Sequence, residues 1–167
     1  TDCSGKIAVV HNGIIENYED LRAQLKEAGH EFKSDTDSEV VAHLFEDAWN
    51  GPAKGNLIEA LRNAVARLEG SWALAVVCTD EPDSVVVTRQ GSPLVVASTP
   101  EGAYAASDVM PLAAITKHVI QLADDDIALL QKDGTITIYD ANGDEVKDPA
   151  TLDIDWDASA ATLGGYP

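Results

Sequence analysis

The chain has 167 residues, 45% of them apolar, enough for one domain with a sizeable core of its own. Its 29 acidic and 11 basic residues leave a formal charge of -18, a field that repels phosphate backbones and anionic lipid, so neither nucleic acid nor a membrane is expected as a partner. No apolar run reaches the roughly 20 residues of a membrane helix and no charged-then-apolar leader opens the sequence, which together point to a cytoplasmic protein.

Residues 6–10 are rich in β-branched side chains and read as a stiff strand leading into His11-Asn12-Gly13-Ile14-Ile15. Two readings of Asn12-Gly13 stand side by side. Asn-Gly is the strongest short signal for a type I′ hairpin turn. Yet a helix pattern starts near Asn17 where a return strand should be, and an Asn amide beside a Gly with no Cβ also offers two converging N–H donors, the makings of an oxyanion hole. Leu21, Leu25 and Ala28 form the apolar stripe of a first helix, with Asn17 placed to cap it and Gly29 to stop it. A second helix carries Val40, Val41, Leu44, Phe45 and Ala48 on one face. Thr36 and Glu39 have the spacing of a capping box at its start, which leaves the carboxylate of Asp37 free. A third helix is expected over residues 56–68, closed by Gly70.

Beyond it lie short β-rich runs at 72–78, 84–89, 94–97 and 103–106, several apolar nearly throughout, as in strands covered on both faces within stacked layers. Ser107-Asp108 is placed to cap a short helix through Ala114. Runs at 127–131 and 135–139 flank Asp133-Gly134 as a hairpin, and Asn142-Gly143 marks another turn. After Val146 the pattern dissolves into an acidic tail. Cys3 and Cys78 are too few for a disulfide framework, and with four scattered histidines they show no metal-ligand spacing, so two free thiols and no metal are expected. Cys78, inside an apolar run, reads as an inert core thiol, and His11 as a packing and hydrogen-bonding residue.

The segment His11-Asn12-Gly13-Ile14-Ile15-Glu16-Asn17, followed by Ser34-Asp35-Thr36-Asp37-Ser38-Glu39-Val40, closely resembles the glutaminase domain of the glutamine–fructose-6-phosphate aminotransferase (glucosamine-6-phosphate synthase) family. The resemblance extends over the whole chain, and the pair Ile14-Ile15 looks like these hexosamine-forming enzymes rather than the purine or asparagine type. It implies an α+β fold, a four-layer αββα sandwich of the N-terminal-nucleophile hydrolase type, here lacking its first strands. It also implies a partial glutaminase domain over 1–147 and, over 148–167, an acidic linker toward an absent sugar isomerase domain.

In such enzymes an N-terminal cysteine thiolate attacks the side-chain amide of L-glutamine, and the ammonia passes to fructose 6-phosphate to make glucosamine 6-phosphate. By resemblance Asn12 and Gly13 form the oxyanion hole and Asp37 pairs with the glutamine α-ammonium, with no cofactor and a homo-oligomeric parent. The nucleophile is missing, since Cys3 stands too near the Asn-Gly motif to be the family's cysteine. The piece alone is therefore expected to be inactive. The alternatives are a non-catalytic amino-acid-binding or interaction domain that kept the fold, or a purine-type glutamine amidotransferase.

Overall fold

The computed structural model describes residues 1–51, 53 and 55–154. Strand β1 (Ile7–Ile15) is followed by helices α1 (Tyr18–Glu27), α2 (Glu39–Asn50) and α3 (Leu57–Val65). Then come β2 (Gly70–Cys78), β3 (Ser84–Gln90), β4 (Val95–Thr99) and β5 (Gly102–Ala106), a single 3-10 turn at Met110–Leu112, and β6 (His118–Gln121), β7 (Ile127–Gln131), β8 (Ile136–Tyr139) and β9 (Thr151–Asp153). The strands make two antiparallel sheets, one in the order β1-β2-β3-β7-β8 and one in the order β5-β4-β6-β9.

Side-chain alternation builds the layers. On β2, Trp72, Leu74, Val76 and Cys78 face the helices, while Ala73 enters the core between the sheets. On β7, Ile127 goes to the helical side, and Ala128 and Leu130 go to the inter-sheet core with Val87, Leu94 and Val96. β7, apolar on both faces, is thus covered on both. Helix α2 is the centre of the outer layer: Val40, Val41 and Phe45 are wholly buried, and Phe45 stacks on Trp49 at 6.2 Å between centroids. On the far side of the second sheet, Val95, Ala97 and Val119 pack with Leu112 and Ile154, so among the described residues the fourth layer is represented by the Met110–Leu112 turn and the Ile154 segment. Helix, sheet, sheet and turn give the α+β sandwich.

Several local expectations need correction. Asn12-Gly13 is not a turn: β1 runs straight through it, in unbroken antiparallel register with β2 from Ile7↔Cys78 to Ile15↔Gly70. The capping box does not form. Helix α2 starts at Glu39 after Ser38, and the Glu39 carboxylate turns back to accept hydrogen bonds from Lys33 N, Ser34 N and Ser34 Oγ at 2.8, 2.7 and 2.6 Å. Asn17 makes no cap either. Its amide instead clamps the approach to β2, donating to Arg67 O and accepting from Glu69 N. The tail expected from residue 148 also begins too early, because Thr151–Asp153 pairs with β6 and Ile154 is buried. The rest of that expected linker, 155–167, lies outside the described residues.

Candidate functional site

β1 is the outer strand of its sheet, so half of its backbone groups face away from β2. Ile7 N–H leaves that edge to donate to Asp2 Oδ1 at 2.8 Å, and Ile15 N–H does the same to Asp37 Oδ2 at 2.9 Å. Gly13 has the same parity as both, so its N–H also points off the free edge, two residues from the place where Asp37 is anchored. The conformation there is possible only for glycine. Gly13 has φ +136°, and a Cβ would run into the Ser71 carbonyl oxygen of β2. Gly70, two pairs along, has φ +122°, and a Cβ there would meet the Ile14 carbonyl oxygen. A glycine on each strand therefore leaves the β1–β2 backbones free of an intervening Cβ just where the polar donors emerge.

Asn12 is exposed, opposite Ala73, on the sheet face turned away from the helices, and its side chain has no hydrogen-bond partner among the described residues. His11, one residue earlier, points into the helical side with its ring only 2% exposed and its Nδ1 2.9 Å from Ser38 Oγ. Asp37 is not free, as the capping box would have left it. Ile15 N–H fixes one carboxylate oxygen; the other receives Ser38 Oγ–H at 3.3 Å and stands 3.8 Å from His11 Nδ1. The carboxylate is 24% exposed, so a cation can still approach it. Gly13 and Asp37 thus share one strand edge, while the Asn12 side chain rises from an adjacent face. A cleft of about 410 Å³ between α3 and the first sheet, lined by Arg62, Leu68, Trp72 and Ile127 among others, includes none of these residues.

Neither thiol is presented to this edge as a nucleophile. Cys78 is 2% exposed on the helical face of β2, and burial pushes its thiol up from the ordinary value. Cys3 is turned toward His30, His43 and Glu46, which are far from it in sequence. One signal was available, because His43 and Glu46 stand three apart on α2, the spacing that puts two ligands on one helical face.

An outer helical layer, two packed antiparallel sheets and polar donors leaving the free edge of the first strand define an amidotransferase-type sandwich. The same fold occurs in the solved structure of a glutamine phosphoribosylpyrophosphate amidotransferase from B. subtilis, with a TM-score of 0.66 at 20% identity over 83% of this chain and 30% of that one. The chain belongs to the glutamine amidotransferase domain family, whose sequence profile matches residues 1–114. Relatives named glutamine–fructose-6-phosphate aminotransferase (isomerizing) are 46% identical in Thermotoga maritima and 45% identical in Thermococcus kodakarensis, in each case over 99% of this chain. The chain spans 26% and 27% of their lengths, about a quarter of each.

Proposed function

We propose that this chain supplies the glutaminase part of a glutamine–fructose-6-phosphate aminotransferase, releasing ammonia from L-glutamine for transfer to fructose 6-phosphate and so making glucosamine 6-phosphate. The observation that carries the reading is the strand edge itself, where a Gly-only backbone N–H and an anchored carboxylate stand two residues apart. Relatives bearing that name over nearly the whole of this chain support the hexosamine reaction over the purine one.

A thiolate from outside this chain attacks the glutamine side-chain carbonyl carbon. As the C–S bond forms, the carbonyl oxygen takes negative charge, and the Asn12 amide and Gly13 N–H donate to it. The C–N bond then breaks, ammonia leaves with the proton given up by the thiol, and water hydrolyses the thioester to glutamate. Asp37 receives the glutamine α-ammonium on its outer oxygen. Its other oxygen is held by Ile15, so it positions the substrate and moves no proton.

The test uses the full-length protein that contains this chain, assayed for glutamine hydrolysis with and without fructose 6-phosphate. Asn12→Ala is expected to lower kcat about 100- to 1000-fold with little change in KM. Asp37→Asn keeps an acceptor for Ile15 N–H but loses the charge, and is expected to raise the KM for glutamine about 10- to 100-fold with kcat less affected. A folded full-length protein that binds glutamine without hydrolysing it would identify a non-catalytic binding domain instead, and unchanged kinetics in both variants would remove these residues from the site.

A further inference from the structure

Apart from the residues of β1's polar edge, three segments distant in sequence meet through Cys3, His30, His43 and Glu46. One ligand-type atom from each lies within 4.8 Å of all the others. Cys3 Sγ is 3.5 Å from His30 Nδ1 and 3.6 Å from His43 Nδ1; Glu46 Oε2 is 3.2 Å from His30 Nδ1 and 3.4 Å from His43 Nδ1. A tetrahedral ion with bonds of about 2.3 Å to sulfur and about 2.0–2.1 Å to nitrogen and oxygen has S···N edges of about 3.6 Å and N···O edges of about 3.3 Å. These four distances match four of the six edges of such a tetrahedron; the other two, Cys3 to Glu46 and His30 to His43, lie within 4.8 Å and would shorten as the ligands close on an ion.

The hydrogen-bond chemistry points the same way. His30 Nε2 lies 2.9 Å from Asp47 Oδ1, and because a carboxylate only accepts, that nitrogen carries the proton. The lone pair of Nδ1 then faces the Glu46 carboxylate, acceptor against acceptor, and the Cys3 sulfur, whose thiol proton can be donated to it. His43 is fully buried, and its Nε2 has no hydrogen-bond partner, with Glu39 Oε1 the nearest carboxylate at 3.7 Å. Lone pairs converging in this way are held together either by protons, on the rings or shared from the thiol, or by a cation at their centre.

The surroundings already look like the outer shell of a metal site. Asp47 on His30 is the carboxylate–histidine arrangement that fixes ring and tautomer, Glu39 faces the far side of His43, and Glu31 N–H points at Cys3 Sγ at 3.4 Å. We propose that Cys3, His30, His43 and Glu46 bind one zinc ion in a closed, four-ligand structural site. Binding releases the thiol proton to solvent, and the thiolate and carboxylate balance the two charges of the ion, so the loaded site is neutral. With no position open for water, the ion does not take part in glutamine chemistry. It staples the segment before β1 to the α1–α2 connection and to α2, closing loops of 27 and 40 residues in sequence.

The test is metal analysis and cobalt substitution on the full-length protein, purified without a polyhistidine tag, stripped by chelator and then titrated with Zn²⁺ or Co²⁺. One equivalent per chain is expected, with a sulfur-to-cobalt charge-transfer band and the visible bands of a tetrahedral site. Cys3→Ser and His30→Asn alter residues near the surface and spare the buried His43; both should still fold, with the first losing the charge-transfer band and each weakening zinc binding more than 100-fold. Asp47→Asn, outside the ligand set, should weaken it about 10- to 100-fold. Substoichiometric metal, a cobalt spectrum lacking the sulfur band, or affinity unchanged by Cys3→Ser and His30→Asn would each overturn the proposal and leave a proton-held cluster. The readout is metal binding, so it stands whether or not the glutaminase reading does.

Discussion

Gly13 joins two requirements at one residue. The edge N–H proposed to meet the oxyanion is available only because the backbone adopts φ +136°, and that backbone lies so close to β2 that no side chain fits in front of Ser71. Asn12 beside it carries no such burden, since its side chain is exposed and bonds to nothing among the described residues. The two substitutions should therefore separate folding from chemistry. Gly13→Ala is expected to cost at least about 2–3 kcal/mol, from an unfavourable φ plus a backbone clash, and to lower the urea midpoint, whereas Asn12→Ala should leave that midpoint unchanged within about 0.5 kcal/mol. Equal stability of the two variants would show that β1 does not hold Gly13 in the glycine-only conformation.

At the scale of elements, the start of α2 is fastened by one carboxylate. The Glu39 side chain is 5% exposed; burial alone raises its pKa, but the hydrogen bonds from Lys33 and Ser34 outweigh burial and hold it at about 2, below its ordinary 4.5. Because the folded value is depressed, the stabilisation is fully present above about pH 4.5 and is lost as the pH falls from there toward about 2. It amounts to about 3 kcal/mol. Glu39→Gln should accordingly be less stable than the parent by about 2–3 kcal/mol near pH 7, with a difference that shrinks steadily below about pH 4.5, as read from urea midpoints across that range. A constant difference at every pH would trace the loss to packing rather than to charge. The same element shows what a sequence reveals and what it hides. The stripe from Val40 to Ala48 marks α2 because a helix repeats its buried face every three to four residues, and the doubly covered strands announce stacked sheets by being apolar throughout. Thr36 and Glu39 had capping-box spacing, but the Glu39 carboxylate found two backbone donors across the connection instead, a tertiary outcome that spacing does not encode. Asn12-Gly13 looked like a turn because its local preference is strong, and nine paired positions with β2 overrode it. β6 and β9 carry no readable period, being only four and three residues long. Of the candidate site, Asn12, Gly13 and Asp37 were legible as a motif; that Asp37 is anchored by Ile15 was not, and neither was the meeting of Cys3 with His30 and His43.

Across the whole molecule, the first sheet is covered unevenly. On β3 and β7, and on β2 at Ala73, the face turned from the helices is sealed by the second sheet, through Ala73, Val87, Ala128 and Leu130. β1 carries the same kind of residues on that face, but Val10 is 73% and Ile14 is 65% exposed, with Val77, diagonal to Val10 across the β1–β2 pair, at 42%. In the 167-residue chain this leaves an aliphatic strip along an edge strand, the arrangement that promotes dye binding and self-association. Replacing Val10 and Ile14 together by Thr keeps β-branched side chains suited to the strand while removing apolar surface, so dye fluorescence and association should fall with stability changed by less than about 1 kcal/mol. Leu74→Ala, in the same sheet but wholly buried on its helical face, should do the reverse, costing about 2–5 kcal/mol without quieting the strip. Charge supplies an independent check. A net charge of -18 holds copies apart at low ionic strength, so association through an aliphatic strip should grow as added salt screens that repulsion, whereas association held by ion pairs should fade. Sedimentation of the parent and the double variant across a salt series reads both effects, and association in the double variant equal to that of the parent would locate the sticky surface elsewhere than on β1.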